Sequence, residues 1–182
     1  MKNDRITIAM MGVRGRGRSV LHDFCRQPDV DVAWICDVDQ NVVEPAMKTV
    51  EDARGKRPPL TADIRRVLED KSVDAVVMAT PIHWHAPGTI LACDAGKDVY
   101  VEKPCSHNVR EGRLMVEAAR RNRRIVQHGT QLRSVGVCQK FIEHSHSDKL
   151  GRQRSAGCVN GKGTPVFGGR LRLTRLRLTI DA

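Results

Sequence analysis

Apolar and polar positions follow two different rhythms along the first 135 or so residues. Ile6–Met11 is a short apolar run that closes on a glycine. Between Arg18 and Gln27, Val20, Leu21, Phe24 and Cys25 share one helical face, and Pro28 marks the stop. Val30–Cys36 reads as a second strand. Val42, Val43, Ala46, Met47 and Val50 then repeat at helical spacing, and Arg54–Pro59 reads as a loop. Ile64, Val67 and Leu68 predict a short helix, and Val73–Ala79 is a nearly continuous apolar run suited to a parallel strand buried on both faces. A helix over Ala86–Ala95 with Gly96 at its C-terminal cap, a strand over Val99–Glu102 and a further strand over Ile125–Gly129 continue the series. Between the last two, Asn108 and Glu111 form a capping-box pattern that opens a helix carrying Leu114, Met115 and Ala118 inward. Strands alternate with helices over connections too long for hairpins. This predicts an α/β fold, a doubly wound parallel Rossmann-type sheet with helices on both faces.

Composition narrows the class. The chain has 182 residues, enough for one sizeable core and a fragment of a second. No apolar run approaches the roughly 18 residues of a membrane helix, and the start of the chain does not read as a signal peptide, so a cytoplasmic location is expected. Six cysteines without a Cys-x-x-Cys pair read as free thiols in a reducing compartment. The net charge of +10 is unevenly spread: residues 1–150 carry +4 and residues 151–182 carry +6. The body is therefore only mildly basic, and the tail has Phe167 as its one aromatic, a poor platform for stacking bases. A nucleic-acid partner is not expected.

Candidate chemistry gathers at the ends of the predicted strands. Gly12-Val-Arg-Gly-Arg-Gly17 lies between the first strand and first helix, where a dinucleotide fingerprint belongs. Gly12 and Gly17 take its outer positions, Arg14 stands in the middle one, and Gly15 beside it can supply clearance. Arg14, Arg16 and Arg18 crowd a helix N-terminus whose dipole disfavours cations, an arrangement that a bound pyrophosphate would relieve. Asp37 ends the second strand, 20 residues after Gly17. A carboxylate there can accept from both adenosine ribose hydroxyls and repel a 2′-phosphate, favouring NAD over NADP. The same residue also suits a helix N-cap or a turn. Thr80 and Pro81 end another strand, where open α/β sheets bind ligands. His83, Trp84 and His85 follow, and capping and packing is an alternative reading for both histidines. Cys105 and His107 lack a recognised ligand spacing with them, so no metal is expected. Glu102-Lys103-Pro104 closes the run Val99–Pro104. A lysine held at a buried strand end is a candidate for desolvation and proton transfer, though it also reads as a solvated lysine.

In this order, Gly12–Gly17, Asp37, Ala79–His85, Glu102–Pro104 and Gln127–Gln131 resemble the N-terminal part of the Gfo/Idh/MocA family of oxidoreductases. The resemblance covers about Ile6 to Gly151. It implies a nicotinamide cofactor and hydride transfer at a secondary alcohol carbon of a sugar or cyclitol. It makes Lys103 the catalytic residue, with a cis peptide often preceding the proline. His85, Glu102 and Gln131 join the cofactor set, Glu102 by pairing with a neighbour or orienting the turn, and Gln131 by reaching the substrate or the nicotinamide ribose. It also implies a second, mainly antiparallel domain, for which this chain has little room, and leaves a homo-oligomer open.

The organisation expected is therefore a dinucleotide-binding domain over residues 1–134, a connecting helix over 135–151, and a basic tail over 152–182. The tail is glycine-rich, and its Arg170–Ile180 alternation slips phase at Thr174. A truncated or frame-shifted remnant of the substrate domain would look like this, leaving an impaired dehydrogenase. The alternative is a nucleotide-binding module without catalysis.

Overall fold

The computed structural model describes residues 5–147. They divide into two units, the first reaching Thr130 and the second starting at Gln131. The first unit is a six-stranded sheet of β1 (Ile6–Met11), β2 (Val30–Cys36), β3 (Leu60–Thr61), β4 (Ala75–Met78), β5 (Asp98–Glu102) and β6 (Val126–Gly129). Every strand pair is parallel, in the order β3-β2-β1-β4-β5-β6. Its helices are α1 (Arg16–Cys25), α2 (Val43–Arg54), α3 (Ile64–Glu69), α4 (His85–Asp94) and α5 (Val109–Asn122). The second unit holds the 3-10 turn Gln131–Ser134 and α6 (Gly136–His146). The basic tail and its alternating segment lie outside the described residues.

Strand alternation explains why the sheet is covered on both sides. Ile8 and Met10 of β1 face one core with Leu21, Ile35, Met47, Val50 and Val77, under α1 and α2. Ala9 and Met11 face the other, with Val67, Met78, Val101, Met115 and Ala118, under α3, α4 and α5. The doubly wound reading is thus met, and the chain switches faces between β1 and β4. Cys25, Cys36 and Cys93 are buried within these cores, and among the described residues every cysteine is a free thiol.

Several local expectations shift. Helix α1 starts at Arg16, not Arg18, and so takes in Gly17. The two-residue strand β3 directly follows the Arg54–Pro59 loop, in a stretch to which the sequence assigns no element, and pairs with Ile35 and Cys36. In α5 the Asn108 side chain accepts from the Glu111 N–H at 2.9 Å, as the capping box requires, but the Glu111 carboxylate accepts from the His107 N–H at 3.1 Å, one residue before the cap, and from the Asn108 side-chain amide at 2.8 Å. The inward stripe of α5 is Met115 and Ala118, however, and Leu114 is 43% exposed. One helical step of 100° carries it past the edge of the buried face.

At the end of the sheet away from the glycine turn, Lys97 is only 6% exposed. Its ammonium donates to the Asp70 carbonyl at 2.7 Å and the Val73 carbonyl at 2.8 Å. The Asp70 carboxylate is held below its usual range by the Trp34 indole, the Ser72 hydroxyl and N–H, and the charge of Lys97. Lys97→Met fills similar space but leaves the Val73 carbonyl unpaired and the Asp70 carbonyl with only the Val73 N–H, at 3.3 Å. It is expected to lower unfolding free energy by about 2 kcal/mol, the usual penalty for stripping a charged donor from a buried site. Urea unfolding followed by circular dichroism measures this, and a loss within error would contradict it.

Candidate functional site

The glycine turn is shaped by contacts that exclude side chains. Gly12 has φ +82°, and its N–H donates to the Cys36 carbonyl at 2.9 Å. A Cβ on Gly12 would lie 2.9 Å from the Ala79 carbonyl carbon and oxygen and from the Thr80 nitrogen. Gly17 is buried in the first turn of α1, and a Cβ there would collide with the Gly12 carbonyl oxygen. The strand end, the turn and the helix start therefore touch backbone to backbone. Gly15 differs: at φ +50° it precedes the helix, and a Cβ would meet nothing within 4 Å. Arg14, in the middle position of the fingerprint, is exposed.

Beyond this turn, at the C-terminal ends of β1, β2 and β4, lies a cleft of about 650 Å³. Gly12, Arg14, Asp37, Thr80 and Pro81 line it together, as the sequence grouped them. Asp37 is fixed by two main-chain donors, Val13 N–H to Oδ2 at 2.8 Å and Asp39 N–H to Oδ1 at 2.9 Å. Each oxygen keeps a lone-pair direction for a further donor. The Thr80 Oγ1 is buried and has no hydrogen-bond partner among the described residues. Such an orphan hydroxyl is uncommon in a folded interior, and Thr80 borders the cleft. Cys36 also borders the cleft. Burial, with the Asp37 and Asp63 carboxylates adding to it, pushes its thiol up to about 11, so it stays protonated and is no nucleophile.

Sequence reasoning missed part of this wall. Asp63, Arg65 and Val38 border the same cleft, as do His83 and Trp84, which the sequence places in neither the catalytic nor the cofactor set. Asp63 is also the N-cap of α3, its Oδ1 accepting from the Arg65 N–H at 3.0 Å. An aspartate directly before Ile64 was the available signal. Its carboxylate holds the Arg65 guanidinium, Nη2 to Oδ2 at 2.7 Å, and is itself kept below its usual range by that arginine.

The remaining expected residues are placed outside the cleft wall. His85 is 2% exposed, and its ring nitrogens face the Thr80 carbonyl at 2.9 Å and the Pro104 carbonyl at 2.6 Å. Its imidazole stitches the end of β4 to the turn after β5. The Lys103-Pro104 peptide is cis. Lys103 itself is exposed, against the desolvation expected of a strand-end lysine, because the strand ends one residue earlier and Glu102 takes the buried position. Arg16 turns to that carboxylate, Nε to Oε1 at 2.9 Å. Gln131 opens the second unit. Among the described residues no group of three His, Cys, Asp or Glu side chains is arranged to hold a metal ion, and no helix is long and apolar enough to cross a membrane.

Comparison with known proteins gives this geometry relatives. A "Glycosyl hydrolase family 109 protein" of Shewanella putrefaciens is 32% identical over 127 residues, which are 68% of this chain and 28% of that protein. This chain thus spans little more than a quarter of the length of such curated relatives. Among solved structures, myo-inositol 2-dehydrogenase from Lactobacillus plantarum superposes with a TM-score of 0.71 at 20% identity, over 81% of this chain and 43% of that one. The WlbA dehydrogenase from Chromobacterium violaceum, in complex with NADH and UDP-GlcNAcA, gives 0.69 at 23% identity, over 84% and 43%. The family model for the Gfo/Idh/MocA oxidoreductase family, NAD-binding Rossmann fold, matches residues 6–130, and the chain belongs to that family.

Proposed function

We propose that the chain binds NAD in the cleft between β1 and β4 and serves hydride transfer at a secondary alcohol carbon of a sugar or cyclitol. The observation that carries this reading is the cleft itself. It opens where the chain switches faces of a parallel sheet, its wall includes Gly12, where a side chain has no room, and it holds both a fixed acceptor, Asp37, and Thr80 with its unpartnered buried hydroxyl. The residues fit the group. The turn after Gly12 and the start of α1 would hold the pyrophosphate, Asp37 the adenosine ribose, and Thr80 with Pro81 the dinucleotide backbone. Bound nicotinamide supplies the hydride acceptor. Lys103 would meet the substrate hydroxyl and move its proton, with Glu102 setting the peptide that carries it and His85 joining that peptide to Thr80 through main-chain carbonyls. Gln131 would take the substrate or the nicotinamide ribose.

The relatives support the substrate class, since they include a glycosyl hydrolase family 109 protein, a myo-inositol 2-dehydrogenase and a dehydrogenase in complex with UDP-GlcNAcA. The free thiols support a reducing, cytoplasmic setting. A second reading, nucleotide binding without turnover, is favoured by the exposure of Lys103. Titration calorimetry with NAD and NADP tests the shared premise. Heat with NAD, weaker with NADP, is expected, and no heat with either at millimolar concentration would remove both readings. A panel of sugars and inositols scored by NADH absorbance then separates them, because only the first gives turnover.

A further inference from the structure

The Arg16–Glu102 pair joins two motifs that lie 86 residues apart in the sequence. Arg16 is the first residue of α1, on the glycine turn, and Glu102 is the last residue of β5, directly before Lys103. The Glu102 side chain is 4% exposed and that of Arg16 40%. Glu102 also accepts from the Lys103 N–H at 3.2 Å and the Tyr100 hydroxyl at 3.3 Å. Burial first, then the neighbouring carboxylate, keeps that phenol protonated and so a donor. Phe24 of α1 holds the Tyr100 ring edge-on at 5.8 Å. On β6, a Cβ at Gly129 would come within 2.5 Å of the Tyr100 hydroxyl and 3.2 Å of Glu102 Oε1, so a glycine there makes room for the network. Among the described residues Arg16 is the one cation paired with this carboxylate.

We propose that Arg16 is a positioning residue: its guanidinium holds the buried Glu102 carboxylate instead of the dinucleotide phosphates, and so ties the glycine turn to the peptide that carries Lys103. This rests on the NAD reading above. Its physical core is an asymmetry. Removing the cation alone strands a buried carboxylate, whereas neutralising both partners does not. An arginine acting directly on phosphate has no such dependence on Glu102.

The test is a double-mutant cycle on the whole chain, with R16M, E102Q and R16M/E102Q, and R16K as the conservative variant. Two readouts are taken, the Kd for NAD by calorimetry and the thermal unfolding midpoint. R16M is expected to weaken NAD about tenfold and E102Q about twofold, while the double variant returns to about the level of E102Q alone. R16K is expected to regain part of the loss. A double variant as weak as R16M or weaker would overturn the proposal, since it would place Arg16 on the phosphates. If R16M does not fold, folding of R16M/E102Q supports the tie and failure of both overturns it. If the unmodified chain binds no NAD, the functional reading fails, and the unfolding midpoints alone decide: non-additive losses support the tie and additive ones sink it.

Discussion

Gly17→Ala is expected to abolish measurable NAD binding, a loss of about 100-fold or more, because one methyl group displaces the whole turn. The added Cβ would overlap the Gly12 carbonyl oxygen, lie 2.9 Å from its carbon and 3.3 Å from the Ala79 Cβ. Gly12 cannot retreat. Its N–H is held by the Cys36 carbonyl, and its α-carbon already faces the Ala79–Thr80 peptide. The start of α1 must therefore move outward, taking with it the amides that would meet the pyrophosphate. A misplacement of about 1 Å in a pre-organised site is enough to cost about two orders of magnitude. Overpacking should also lower stability by about 1–3 kcal/mol. Gly15→Ala is the informative control. Its Cβ has open space, so the penalty is confined to the backbone, whose φ of +50° with ψ −108° lies outside the left-handed helical region and strongly favours glycine, about 1–3 kcal/mol, with the turn strained but not displaced. Because that strain is present with and without the ligand, calorimetry should show Gly15→Ala within about tenfold of the unmodified chain. Equal losses at the two glycines would show that the close approach of backbones is not what builds the site.

The same contacts show what could be read from the sequence. The alternation of elements was legible because each β1, β2, β4 or β5 segment shows an apolar run of several residues, and each helix except α4 shows a one-sided stripe. The capping residues Asn108 and Glu111 were legible because a cap is local, as was Gly96 at φ +75° after α4. Strand β3 was not: two residues after a double proline have no period, and they are a strand only because Cys36 and Ile35 are already in place to pair with them. With β3 went Asp63 and Arg65, which reach the cleft through that pairing. The motif residues were legible as a set, but their partners were not. That Arg16 would turn away from the helix axis toward Glu102, and His85 toward two carbonyls, depends on contacts across the sheet that no spacing encodes. Leu114 marks the limit in a different way. A helical stripe fixes its own centre but not its width, and the width is set by what lies beneath.

Asp37→Asn is expected to erase most of the preference for NAD over NADP, a change of about 100-fold in the ratio of the two dissociation constants. The carboxylate sits at the end of β2 with both oxygens already anchored by the Val13 and Asp39 N–H groups, so its orientation is fixed before any ligand arrives. A ribose with two free hydroxyls donates to it, and charge-assisted bonds of this kind contribute about 1.5–3 kcal/mol. A 2′-phosphate brings negative charge to the same point and loses a donor. The amide of asparagine keeps the shape but offers one acceptor oxygen instead of two, and its NH₂ group faces one of the anchoring N–H donors. NAD should weaken by about 10–50-fold, while NADP holds or improves as the repulsion falls. Parity rather than reversal is expected. Asp39 and Asp63 still border the cleft, and Asp63 keeps Arg65 occupied, so the variant gains no free cation from that side for a phosphate. NADP serves as the internal control for damage to the turn. If both dinucleotides weaken in parallel and the ratio stands still, Asp37 is a brace for Val13 and Asp39 and not the group that reads the ribose.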